Sequence, residues 1–178
     1  MATIRSKTGV RKVYKEFKKA HKPSVELAFY LQDWEDAYNV GSLFRVADAV
    51  GSDLVVMSGK TPQPPDPMIP VTSLGAHRRI PYHHFPRHDD AVAFLKAEGW
   101  SLVAVEIAEG AVNFRDFTFP PRTCLILGNE GAGIYGNVMK ASDAVVYIPQ
   151  FGKGRSMNVH VAAAVVAYEA VLQTTGQK

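Results

Sequence analysis

Two Gly-rich stretches late in the chain hold most of the polar residues able to do chemistry. The first, Gly128-Asn129-Glu130-Gly131-Ala132-Gly133, places a single carboxylate directly after the apolar run Thr123–Leu127. The second runs from Tyr147-Ile148-Pro149 through Gly152-Lys153-Gly154-Arg155 to Ser156-Met157-Asn158, and it ends where an Ala/Val-rich helix begins. Pro149 stops the strand ladder, and Gly152 and Gly154 let the backbone turn tightly or approach a ligand without a Cβ in the way. Ser156 or Asn158 can cap the helix, and its first-turn amides then face whatever fills the loop. The spacing excludes two common chemistries. Gly-x-x-Gly-x-Gly so late in the chain is not the Gly-x-Gly-x-x-Gly dinucleotide fingerprint, and Gly152-Lys153-Gly154-Arg155-Ser156 is not a P-loop. No Cys or paired-His spacing suggests zinc, and His83 and His84 are adjacent, hence on opposite faces of a strand, so no metal is implied. An ordinary strand, turn and core helix would use the same glycines, so neither turn alone is specific.

The elements that position these turns alternate regularly. Val25–Leu31 is rich in β-formers, Asp33–Tyr38 is a polar connection, and Asn39–Val50 places Leu43, Val46, Ala47 and Val50 at helical spacing, with Asn39 as its cap and Arg45 off the apolar stripe. Leu54–Met57 is a short strand. Five prolines in Lys60–Pro70 exclude helix and central strand there and predict a long surface loop. Arg79–Phe85 is a strand, Asp89–Glu98 a helix with Ala91, Phe94 and Leu95 inward, and Leu102–Val105, Thr123–Leu127 and Val145–Ile148 are further strands. Continuous apolar strands alternating with helices predict a parallel α/β sheet covered on both faces. Ligands bind such sheets at the carboxyl ends of the strands, where both Gly-rich turns lie, so the two turns could line one site. The final helix, Val159–Val171, is apolar almost all round and must be covered on more than one side.

With 178 residues and 47% hydrophobic content, the chain supports one well-buried core rather than two domains. The one cysteine, Cys124, sits in an apolar strand, which implies a reducing compartment. The amino-terminal stretch has no apolar core of a signal peptide and no window approaches a membrane span, so a cytoplasmic protein without membrane attachment is expected. Charge is distributed unevenly. Residues 1–22 carry eight basic residues against Glu16, giving +7 and leaving −4 elsewhere in a chain of net +3. Val10, Val13, Tyr14, Phe17 and Ala20 recur with helical period among Arg11, Lys12, Lys15, Lys18 and Lys19. This predicts a basic arm (1–22) preceding the main domain (23–178), with nucleic acid as the favoured polyanion.

Three segments together resemble the SpoU/TrmH branch of the SPOUT RNA methyltransferases, which transfer methyl from S-adenosylmethionine to a ribose 2′-hydroxyl. They are Asn39-Val40-Gly41-Ser42-Leu43-Phe44-Arg45 with Ala47, Asp48 and Gly51 following, then Leu127 through Gly133, and then Ile148-Pro149 through Gly152 to Ser156-Met157-Asn158-Val159. The resemblance extends over roughly residues 24–172. It implies a parallel α/β sheet with helices on both faces and a C-terminal deep trefoil knot, one of the rare exceptions to unknotted chains. It also implies a homodimer, for which the apolar final helix is suited.

Carried over residue by residue, the resemblance assigns S-adenosylmethionine to the knotted turns, with contacts at Leu127, Gly128, Gly133, Ile148 and Met157. Asn39, Arg45, Glu130, Ser156 and Asn158 match the family's functional polar residues, and Arg11, Lys12, Lys15, Lys18, Lys19 and Arg155 are the expected RNA contacts. The family's proposed activator is Arg45. A guanidinium with a pKa above about 12 is a poor base, so electrostatic stabilisation of the developing alkoxide is expected instead, with Glu130 orienting it. His160 stands where the family often has Ser, and Met157 where it often has Leu. Because only about twenty residues precede the main domain, tRNA is expected over rRNA. The alternatives are a catalytically inactive RNA-binding protein of the same fold and a nucleotide-dependent oxidoreductase.

Overall fold

The structure, a computed structural model, describes residues 6–154 and 156–175. Seven strands form one parallel sheet: β1 (Glu26–Gln32), β2 (Leu54–Ser58), β3 (Tyr82–Phe85), β4 (Ser101–Val105), β5 (Val112–Asn113), β6 (Arg122–Leu127) and β7 (Ala144–Tyr147), in the order β3-β2-β1-β6-β4-β7-β5. The central strands are apolar on both faces because both are covered. Leu27, Phe29 and Leu31 of β1 point to one side with Val55, Met57, Val103, Leu125 and Leu127; Ala28 and Tyr30 point to the other with Val56, Leu102, Cys124 and Ile126.

The first face is covered by α2 (Ala37–Val50) and α6 (Val159–Thr174), which bury Leu43, Phe44, Ala47, Ala163, Val166, Ala167 and Ala170. The second is covered by α4 (His88–Ala97) and α5 (Gly136–Ala141), through Ala91, Leu95 and Val138. Burial pushes the Cys124 thiol far up, as suits an inert core residue. Ahead of the sheet, α1 (Lys7–Ala20) is capped by Ser6, whose hydroxyl accepts from the Gly9 amide, and it buries none of its side chains.

Several boundaries differ from the sequence expectation. Asn39 does not cap α2; Asp36 does, its carboxylate accepting from the Tyr38 amide at 2.8 Å, which moves Asn39 into the first turn. The proline-rich loop is not structureless to its end: α3 (Ile69–Ser73) starts inside it, with Pro70 in the first turn, where a missing N–H costs nothing. Thr61 and Ile69 of this stretch are buried rather than on the surface. Only Tyr82–Phe85 of the expected Arg79–Phe85 strand pairs, since the Arg79 and Ile80 amides bond back to the Ala76 carbonyl (2.9 and 3.2 Å) at the end of a 3₁₀ turn, Ala76–Arg78. Within the chain, α6 is covered on one face only, leaving Val161 and Tyr168 exposed.

Candidate active site

The carboxyl ends of β4, β6 and β7 open into one cleft of about 540 Å³. Its floor is the turn after β6. Asn129 and Gly133 exchange backbone hydrogen bonds (3.1 and 2.9 Å), and the Asn129 side-chain oxygen accepts the Gly131 and Ala132 amides at 2.9 and 2.8 Å. Gly128 is obligatory here. A Cβ on it would collide with the backbone of Gly133 and with the amide of Ile134. The buried Gln32 clasps the far side of the turn, donating to the Gly133 carbonyl and accepting from the Tyr135 amide (3.3 and 2.8 Å). Trp34, also buried, donates its indole N–H to the Leu127 carbonyl at 3.1 Å, tying the end of β6 to the chain leaving β1.

The second wall is the segment after β7. Ile148, Gln150, Ser156, Met157 and Asn158 line the cleft, and Asn158 rather than Ser156 caps α6, accepting from the His160 amide at 3.1 Å. All five cofactor candidates, Leu127, Gly128, Gly133, Ile148 and Met157, face this space, together with Glu130, Ser156 and Asn158. The lining combines apolar side chains with backbone from two Gly-rich turns, and its volume is within the usual range for a nucleoside-sized ligand. S-adenosylmethionine fits such a site: Gly128, Gly131 and Gly133 line the cleft without side chains, beside the apolar Leu127, Ile148 and Met157.

At the mouth of the cleft, three distant segments meet in one hydrogen-bonded network. Asn39 Nδ2 donates to Glu130 Oε1 at 3.1 Å, while Asn39 Oδ1 accepts from Asn158 Nδ2 at 3.1 Å and meets His160 Nδ1 at 3.0 Å. A carboxylate only accepts, so the Asn39 amide must turn its NH₂ to Glu130 and its oxygen to the other two. His160 Nδ1 must then carry a hydrogen. Burial lowers the His160 pKa below its ordinary value and so favours the neutral ring, an effect partly opposed by the Asp36 carboxylate. The other Glu130 oxygen accepts from the Glu35 amide at 3.3 Å. Glu130 is therefore committed to Asn39 and the β1–α2 connection, and does not orient Arg45. Among the described residues Arg45 is exposed and has no hydrogen-bond or ion-pair partner.

Beside this network, burial tends to raise the pKa of Asp33, but the Lys60 amide (2.8 Å) and the Tyr135 hydroxyl (2.6 Å) outweigh it and leave the carboxyl below its usual range. The basic candidates Arg11, Lys12, Lys15, Lys18 and Lys19 are exposed on α1, and Arg155 lies outside the described residues. Gln32, Trp34, Asn129 and Glu106 belong to the cleft or its frame but not to the sequence-derived set. Asn129 stood inside the second motif, whereas no local pattern marks the others. Among the described residues no group of three or more His, Cys, Asp or Glu is placed to hold a metal ion, and no helix is long and apolar enough to cross a membrane.

Comparison with known proteins places this geometry. A tRNA (guanosine(18)-2′-O)-methyltransferase of Escherichia coli is 31% identical over 150 residues, covering 83% of this chain and 64% of that protein, so the chain spans less than two thirds of that relative. A 23S rRNA (guanosine(2553)-2′-O)-methyltransferase of Bacillus subtilis is 33% identical over 136 residues, 75% of this chain and 53% of that one. Among solved structures, the SpoU methyltransferase AviRb from Streptomyces viridochromogenes in complex with AdoMet superposes with a TM-score of 0.79 at 28% identity, over 88% of this chain and 60% of that one. The SpoU rRNA Methylase family matches residues 26–168, from the first strand to deep in the last helix and across all three segments that build the cleft, and the chain belongs to that family.

Proposed function

We propose that the protein transfers the methyl group of S-adenosylmethionine to a ribose 2′-hydroxyl of RNA, with tRNA favoured over rRNA. The observation that carries this reading is the Glu130–Asn39–Asn158–His160 network at the mouth of the cleft, beside turns shaped for a nucleoside cofactor. When bound, the cofactor supplies an electrophilic methyl on a sulfonium. Leu127, Gly128, Gly133, Ile148 and Met157 hold it, largely through main-chain groups. Asn39, Glu130, Ser156 and Asn158 form the polar rim that positions the ribose, since transfer to an oxygen nucleophile depends chiefly on alignment. Arg45, unpaired among the described residues, is free to meet a substrate phosphate and to stabilise the charge that develops on the 2′-oxygen as its proton leaves.

The working molecule is a cytoplasmic homodimer without membrane attachment, in which residues 1–22 are an RNA-binding arm and 23–178 the catalytic domain. Exposed Val161 and Tyr168 on α6 support the dimer, and the uncovered apolar stripe Val10, Tyr14 and Phe17 on α1 supports an arm that docks elsewhere than on its own sheet. A trefoil knot is supported by the path of the chain: the segment after β7 returns past the turn after β6 to bring Asn158 against Asn39 on α2. The tRNA preference rests on the similarity to the E. coli tRNA enzyme, and the similarity to the B. subtilis rRNA enzyme makes rRNA the competing substrate. Incubation with methyl-labelled S-adenosylmethionine and separated tRNA and rRNA tests the reading. Label is expected in a 2′-O-methylated nucleotide of tRNA. Label in rRNA alone would reverse the substrate preference, and cofactor binding with no label in either RNA would establish the inactive RNA-binding alternative.

A further inference from the structure

Glu106 follows the last residue of β4, outside all three motifs, and lines the cleft. Its Oε1 accepts the Ile107 amide at 2.9 Å and its Oε2 the Ile134 amide at 3.3 Å. The group is pressed close to the neighbouring turn, since a Cβ on Gly133 would lie 2.7 Å from Oε2. Backbone amides fix a carboxylate in place without supplying a formal positive charge. The other acid of the lining, Glu130, is engaged by Asn39 and the Glu35 amide, and the described lining residues include no Lys, Arg or His. A wall of this composition favours a cation over a neutral ligand of the same shape.

We propose that Glu106 is a specificity-determining residue of the cofactor cleft, its carboxylate favouring the positively charged methyl donor over the neutral product of transfer. The inference rests on reading the cleft as the S-adenosylmethionine site. In the transfer, the S–CH₃ bond breaks and its electron pair remains on sulfur, an O–CH₃ bond forms from an oxygen lone pair, and the hydroxyl proton leaves to solvent. Sulfonium becomes thioether, while the amino and carboxylate groups of the methionyl part are unchanged. Donor and product therefore differ by one methyl group and one unit of charge, and a fixed carboxylate senses the charge. Acting through the mixed protein and water dielectric of an open cleft, it changes the ratio of the two affinities by about three- to tenfold. The cleft is thereby biased to release S-adenosylhomocysteine and reload.

Calorimetry on the full chain and on Glu106→Gln, with S-adenosylmethionine, S-adenosylhomocysteine and sinefungin, tests this. Sinefungin carries a protonated amine in place of the methylated sulfonium and cannot react. Relative to S-adenosylhomocysteine, Glu106→Gln is expected to lose about three- to tenfold in affinity for both cationic ligands, and Glu106→Asp to retain most of the preference. Raising the salt concentration should narrow the wild-type ratio and leave that of Glu106→Gln nearly constant. A purely structural Glu106 would weaken all three ligands together, because Gln can satisfy only one of the two amides. An unchanged ratio in Glu106→Gln, with all three ligands still bound, overturns the inference while leaving the cofactor reading intact. Failure of the wild type to bind any of the three overturns that reading and the inference with it. Should Glu106→Gln not fold, the wild-type salt series decides, and a ratio insensitive to salt overturns the inference.

Discussion

Asn39 shows how one amide can organise a site. Its three side-chain partners lie 91, 119 and 121 residues away, and each uses a different lone pair or hydrogen. Arg45, six residues further along α2, shares the helix but not the network. On the proposed reading, the network holds the geometry of the rim, and Arg45, unpaired among the described residues, meets the charge of the substrate. Arg45→Ala is therefore expected to lower methyl transfer by about 10²- to 10³-fold, the loss of roughly 3–4 kcal/mol of transition-state stabilisation, while cofactor affinity stays within about threefold. Single-turnover rates and cofactor titrations on the same preparation check this. A parallel loss of cofactor binding would move Arg45 from the transition state to the ground state.

At the scale of elements, the turn after β6 and the segment after β7 differ in how much freedom they retain. Gly128 is packed against backbone that cannot swing aside, whereas the space around Gly152 is open. Gly128→Ala should cost about 1–3 kcal/mol of stability from overpacking and abolish cofactor binding, while Gly152→Ala should stay within about 1 kcal/mol of wild type. Denaturant unfolding of the two variants compares them directly. A second joint is the two-pronged pair of Arg79 with Asp48, at 3.0 and 2.8 Å, which ties α2 to the turn before β3. The hydrogen bond from Arg79 holds the Asp48 carboxyl below its ordinary range. Its contribution is thus complete above the unfolded carboxylate pKa, near 4, and disappears as pH falls through the lower folded value. Both side chains are about half exposed, so Asp48→Asn should cost no more than about 1 kcal/mol at neutral pH. Melting temperatures of wild type and variant should converge in acid, and a constant offset would assign the effect to packing.

For the whole molecule, the question is what the arm and the apolar surfaces meet. On α1 one face carries basic residues and the other an unburied Val10, Tyr14 and Phe17, and α6 leaves apolar surface uncovered. If the arm crosses a two-fold interface to serve the partner's cleft, a mixed dimer can reveal it. One chain would lack residues 1–22 and keep its motifs; the other would keep its arm and carry Asn158→Ala. Neither homodimer should transfer methyl, and the mixed dimer should recover up to about half of wild-type activity, because one of two equivalent sites is rebuilt. Inactive mixed dimers with proven chain exchange would return the arm to its own protomer.

The sequence alone determined the parallel sheet, because strands buried on both faces must be continuously apolar and the helices between them must carry one apolar face. It also located both Gly-rich turns at carboxyl ends, since glycine and proline mark chain reversals locally. Three short elements, α3, β5 and α5, escaped because two to six residues are too few to show a period. Asp36 and Asn39 are equally good caps of α2 in sequence, and only the buried environment of Asn39, three residues on, gives it other partners. Which polar groups meet was decided by the tertiary structure. Gln32, Trp34 and Glu106 carry no local signature, and they act on the cleft because strand order brings the ends of β1, β4 and β6 beside one turn. Hydrogen bonds over such separations depend on topology rather than on neighbours in the chain, so the sequence held the groups of the site and the fold chose their partners.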